Sequence, residues 1–169
     1  MLATLIFALA FAILQEPAAQ PSTGQQAAAQ KPAEESGCGP SSEKLKNETD
    51  KSSHPEPSVP QDKALVYVVR PTMLGNKVQT KFGVDGKWVG VNRGNNYFFL
   101  ELAPGPHRFC SQAENADSAG LVLEAGKVYF FQQHVEMGIL KARTSLERID
   151  EERGREALKK CHLSVTEKK

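Results

Sequence analysis

From Ala64 onward, apolar and polar residues alternate with a period of two and turn-forming residues recur at short intervals, which predicts an all-β sandwich or barrel. The alternation is carried by ALVYVVR (64–70), QTKFGV (79–84), KWVGV (87–91), YFFLEL (97–102), HRFCSQA (107–113), GLVLE (120–124), KVYFFQQHV (127–135) and ILKART (139–144). Pro71, Asp85-Gly86, NRGNN (92–96), Pro104-Gly105-Pro106, ENADSAG (114–120), Ala125-Gly126 and Met137-Gly138 interrupt it. Gly and Asn tolerate positive φ, whereas Pro fixes φ and removes a donor, so each interruption has a mechanism.

Asp85-Gly86 is a hairpin signal, because a two-residue type I′ turn needs positive φ at both positions. Such a turn pairs Val84 with Lys87, Gly83 with Trp88 and Phe82 with Val89. Phe82, Val84, Val89 and Val91 then share the core face. Trp88 falls on the other face, covering the bare backbone of Gly83 or lying under an N-terminal strip. The competing expectation is a half-exposed aromatic anchor for a partner.

After the strands, DEERGREALKKC (150–161) reads as a helix. Asp150 is a suitable N-cap, Glu151 and Glu152 occupy the first turn, and Glu151–Arg155 and Glu156–Lys160 are favourable pairs four apart. Gly154, Ala157, Leu158 and Cys161 form the side that packs on the sheet.

The chain before the strands has a different composition. Residues 2–14, LATLIFALAFAIL, are apolar apart from Thr4, which matches a signal-peptide core and is shorter than the roughly 20 residues a spanning helix needs. No Lys or Arg precedes the run, and a buried or anchoring helix is the alternative. Residues 16–62 are rich in Gln, Ala, Pro, Ser, Glu and Lys and poor in aromatics, so they bury too little apolar area to offset ordering entropy. Within them, the stretch from Cys38 to Pro60 has the makings of an extended strip against the domain, and Asn47-Glu48-Thr49 fits a glycosylation acceptor. The expected organisation is a signal peptide at 1–19, a disordered or extended linker at 20–62, a single small antiparallel β-sandwich with a C-terminal α-helix at 63–163, and a tail at 164–169. No transmembrane helix is expected in the mature chain.

Charge and chemistry narrow the function classes. The formal net charge is +1, becoming +2 once Glu16 leaves with the signal peptide, and no basic face is clustered as nucleic acid would need. The four histidines, His54, His107, His134 and His162, lack metal-ligand spacing, so no metal and no cofactor are expected. His107 lies three residues before Cys110, on the opposite strand face, and cannot readily share a proton with it. Carboxylate pairs drawn from Asp85, Glu101, Glu124 and Glu136 are unspecific. No catalytic residue is assigned. The best candidate binding surface joins Trp88 to Arg93, Asn95, Asn96 and Tyr97, a set of adaptable amides, one forked cation and two aromatics.

The succession ALVYVVRP, FGVDGKWVGVNRGNNYFFLELAPGPHRFC and LEAGKVYFFQ, followed by an acidic-start helix, resembles a bacterial family catalogued as domain of unknown function 2846, found in exported proteins and lipoproteins. The order VDGKxVG, PGxH, GKxYxF is also similar to PEGA domains, another small β-sandwich type. The resemblance implies a fold and a periplasmic or secreted location, with no assigned activity. Cys38 follows ESG, far from the apolar run, so a lipid anchor is not expected. Three cysteines leave three pairings open. Cys110 has opposite parity to Phe109 and lies on an outer sheet surface that a crossing strip can reach. The resemblance also leans to Cys38–Cys110; Cys110–Cys161 and reduced or intermolecular states are the alternatives. The expectation is an exported, non-enzymatic cell-envelope module that binds a protein or cell-wall component. A small hydrolase-type enzyme on a β scaffold, or a purely structural domain, are the alternatives.

Overall fold

The structure, a computed structural model, describes residues 38–138 and 142–168, so the expected signal peptide, the start of the linker and residues 139–141 lie outside the described residues. The elements are β1 (Leu45–Asp50), β2 (Ala64–Arg70), β3 (Thr80–Val84), β4 (Lys87–Asn92), β5 (Asn96–Leu102), β6 (Gly105–Gln112), β7 (Ala116–Leu123), β8 (Val128–Met137), β9 (Ala142–Ile149), α1 (Glu151–Leu158) and β10 (His162–Lys168). A six-stranded sheet, β1-β10-β5-β2-β8-β9, packs on a four-stranded sheet, β4-β3-β6-β7. The fold is mainly β, as the alternation predicts. Two pairings, β2 with β8 and β10 with β5, are parallel, which makes the larger sheet mixed.

Strand β2 shows why this sequence folds this way. Its continuous apolar run is buried on both faces, as suits a central strand. Ala64, Val66 and Val68 point between the sheets to meet Phe82, Phe98, Phe109 and Phe131. Leu65, Tyr67 and Val69 point to the opposite face, where Phe130, Ile149, Ala157 and Leu158 cover them. Each fully buried side chain of this size stabilises by about 1.5–3 kcal/mol before ordering entropy is subtracted. Helix α1 supplies that cover. Asp150 caps it by accepting from the Arg153 N–H at 2.9 Å, and Glu151 pairs with Arg155 at 2.7 Å. Gly154 faces the Phe130 ring so closely that a Cβ there would overlap it.

The hairpin forms with Asp85 at φ 51° and Gly86 at φ 76°, and with the expected Val84–Lys87 and Gly83–Trp88 partners. Beyond them the register shifts by one, so that Phe82 opposes Gly90 and not Val89. This corrects the expected core face. The bulge reverses parity, leaving Val89 40% exposed and turning Val91 to the outer face beside Trp88.

Two further strands correct the expected boundaries. Residues 45–50 of the linker pair antiparallel, as β1, with β10 at residues 162–168, which begins at the end of the expected domain and runs through the expected tail. Apart from Leu45, their inward positions are polar, so hydrophobic alternation does not reveal them. Asn47 Nδ2 and Ser164 Oγ donate to the Val91 carbonyl, and Thr166 Oγ1 accepts from the Val91 N–H at 3.1 Å. Asn47 is thereby buried and is no acceptor for a glycan in the folded chain. The other open side is closed the same way: Asn115 bonds both backbone groups of Thr144, and Asp117 takes the Leu146 N–H at 2.8 Å. Side chains thus occupy edge groups that would otherwise template pairing with another chain.

Candidate functional site

The candidate residues sit where the N-terminal strip crosses the four-stranded sheet. Cys38 is disulfide-bonded to Cys110 with the Cα atoms 5.3 Å apart, and Cys161 is a buried free thiol. Gly83, the register partner of Cys110, lies so close to the Cys38 carbonyl that a Cβ would collide with it. Gly39 rests on the indole of Trp88, whose Nε1 donates to the Pro40 carbonyl at 3.0 Å. The Lys81 ammonium stands 5.0 Å from the indole centroid and donates to the Glu43 carbonyl at 2.8 Å. Trp88 is 4% exposed. It packs under the strip and presents no half-exposed anchor.

The loop after β4 divides in the same way. Asn95 adopts φ 54° and ties two elements together, its N–H donating to Arg70 and its carbonyl accepting from His162, each at 2.8 Å. Asn96 is 1% exposed, its amide bonded to Thr49 Oγ1 and the His162 carbonyl. Tyr97 is fully buried, its hydroxyl donating to the Pro55 carbonyl at 3.3 Å. Burial, with negative groups nearby, pushes its pKa up to about 12. Arg93 is exposed and Asn95 half-buried. Of the five candidate residues, the structure leaves these two at the surface.

Arg93 does not stand alone. It lines a 470 Å³ cleft together with Lys44, Leu45, Lys46, Gln79 and Lys81. A second cleft of 300 Å³ shares Gln79 and Lys81 and reaches Ser41, Trp88 and Gln112. The strip's lysines come to this surface from more than 30 residues upstream. Lys44 and Lys46 take their place there through the β1 pairing and the Cys38–Cys110 bond, neither of which composition shows.

Near the Asp85-Gly86 turn, His107 Nδ1 meets Asp85 Oδ2 at 2.6 Å and Nε2 meets the Ala103 carbonyl at 2.9 Å. A carbonyl only accepts, so Nε2 carries a proton, and donation from Nδ1 to the carboxylate makes the ring an imidazolium. Burial opposes that charge. The Asp85 and Ala103 hydrogen bonds and the Asp85 charge outweigh it and raise the pKa of His107. For Asp85, burial is likewise outweighed, here by the Arg108 N–H and His107, and its pKa is lowered. His134 has a similar partner, Glu147 at 2.8 Å. Among the described residues no group of three or more His, Cys, Asp or Glu side chains is placed to hold a metal ion.

Arg70 is a feature the sequence gives no warning of. It is fully buried at the end of β2, and its guanidinium donates to the carbonyls of Leu74, Gly75 and Val78. Burial lowers its pKa to about 10. The side chain ties together residues 74–78, the stretch that leads into Gln79 and the cleft.

The family described as "Protein of unknown function (DUF2846)" matches residues 60–145. A Haemophilus influenzae protein described as uncharacterized is 26% identical over 102 residues, covering 60% of this chain and 61% of the relative. The chain thus spans about three-fifths of that relative's length.

Proposed function

The chain belongs to the DUF2846 family of proteins of unknown function, and we propose that this member is an exported, non-enzymatic module of the cell envelope that binds a protein or cell-wall component. The Cys38–Cys110 disulfide carries this reading. It joins a strip to a sheet across 72 residues, and such bonds persist where the surroundings are oxidising, whereas cytosolic thiols are kept reduced. The apolar run at residues 2–14 supplies the expected export signal. A binding role is favoured over a hydrolytic one because both ring nitrogens of His107 are already engaged. To act as a base, the ring must first give up a bond.

Fractionation of cells expressing the full chain, or one lacking residues 2–14, tests the location. The full chain is expected in the osmotic-shock or secreted fraction and the shortened one in the cytoplasm. Full chain recovered from the cytoplasm with all three thiols alkylated contradicts the proposal. Hydrolysis of model esters or glycosides by the purified chain, abolished by His107→Gln, would instead favour an enzyme.

A further inference from the structure

We propose that the cleft lined by Lys44, Lys46, Lys81 and Arg93 binds the phosphate groups of an anionic ligand. This rests on the reading of the chain as a binding module and names the site and the ligand chemistry. The cleft's six lining residues include four cations and no carboxylate. Its 470 Å³ falls in the range of about 300–1,000 Å³ in which small-ligand sites cluster.

The charges around it are unevenly compensated. Lys46 is paired with Glu48 and Glu167 on the solvent side of the strip. Glu43, which precedes Lys44 in the strip, forms an ion pair with Lys168 at 2.8 Å. Lys44 and Arg93 make no ion pair among the described residues. Lys81 gives one of its three donors to the Glu43 carbonyl and keeps the others. Three positive charges therefore face the cleft with no anion of the described chain against them.

Lys81 is clamped between the strip carbonyl and the Trp88 ring, and Arg93 follows buried Asn92, whose amide bonds Val68 and Gln133. The disulfide at Cys38 keeps the strip's lysines opposite β3 and β4. A carboxylate brings one charge per group and leaves most of the cations uncompensated. A phosphate monoester brings about −1.5 to −2 with three acceptor oxygens, and it suits lysine point charges as well as the guanidinium fork. Gln79, and Gln112 in the adjoining cleft, supply neutral donors for the remainder of a phosphorylated sugar or lipid headgroup.

The test uses the purified chain with its disulfide intact, titrated with inorganic pyrophosphate and sedimented with phosphatidylcholine vesicles with and without phosphatidylglycerol. The cleft variant is Lys44→Gln with Arg93→Gln; the control, Lys127→Gln with Lys159→Gln, loses the same charge from exposed positions elsewhere. Equal urea midpoints establish that both are folded. Pyrophosphate is expected to bind the wild type and the control alike and the cleft variant roughly tenfold or more weakly, the effect of losing one charged hydrogen bond. Vesicle binding that requires phosphatidylglycerol and is lost in the cleft variant assigns the phosphate to a lipid headgroup; pyrophosphate binding alone assigns it to a free phosphorylated compound. Binding of neither probe, or equal weakening in the cleft and control variants, overturns the proposal. Export is read separately, by fractionation, so either result stands without the other.

Discussion

At Gly86 the backbone sits at φ 76°, within the hairpin that joins β3 to β4. A β-branched residue resists that conformation, so Gly86→Val is expected to lower stability by more than about 1 kcal/mol, seen as a reduced urea midpoint. The neighbouring pair, His107 with Asp85, adds a pH dependence. His107 has a raised folded pKa, so its contribution is complete below the unfolded value of about 6.5 and is lost as pH rises through the folded value. Asp85 has a lowered folded pKa, so its contribution is present above about 3.9 and is lost as pH falls through the folded value. Both operate together between these two unfolded values. The stability difference between wild type and His107→Gln is therefore expected to be largest near about pH 5 and to shrink above neutrality. A difference that does not change with pH would contradict the paired imidazolium. Asp85-Gly86 was legible as a turn because only a few residue types tolerate its backbone. The partner of Asp85 was not, because it comes from β6, more than 20 residues away.

Among the elements, legibility followed the source of stabilisation. Strands β2, β3, β5, β6 and β8 announce themselves through alternating or continuous apolar residues that fill the two main cores, β4 through the Trp88 and Val91 that pack under the strip, and α1 through its cap and apolar side. Strands β1 and β10 do not, because their inward Asn47, Ser164 and Thr166 satisfy the backbone of β4 where apolar side chains would fill space. Strand β7 begins four residues before its expected start, and β9 runs to Ile149, since ADSA and SLERI lack strong alternation. The N-terminal strip is the consequential case. Sequence composition predicts that a chain beginning at Asp62 still folds, whereas the structure shows Leu45, Cys38, Trp88, Val91 and Cys110 in one buried cluster. Removing residues 1–61 is expected to expose Trp88 and leave β10 as an unpaired edge. Its emission should shift to the red and the urea midpoint should fall markedly. A truncated chain with native emission and midpoint would return the strip to the status of a tether.

For the molecule as a whole, the disulfide links compartment, stability and site. By chain-entropy reasoning, closing a loop of 72 residues contributes roughly 4 kcal/mol. The same bond holds Lys44 and Lys46 against β3 and β4, so the oxidised chain is the one that carries the cationic cleft. Of the candidate surface, Arg93 was legible as an exposed cation in a turn and Trp88 as a ring under the strip; Asn96 and Tyr97 were not recognisable as buried, because Thr49 and Pro55, which bond them, come from the strip. The measurement that bears most directly on this account is non-reducing peptide mapping of the protein recovered from its native cells, with free thiols alkylated before lysis and again after denaturation. A Cys38–Cys110 linked peptide is expected, with Cys161 alkylated only after unfolding, its buried thiol being pushed up to about pKa 12 by desolvation. A Cys110–Cys161 cross-link, or Cys38 and Cys110 both recovered as free thiols, would contradict it.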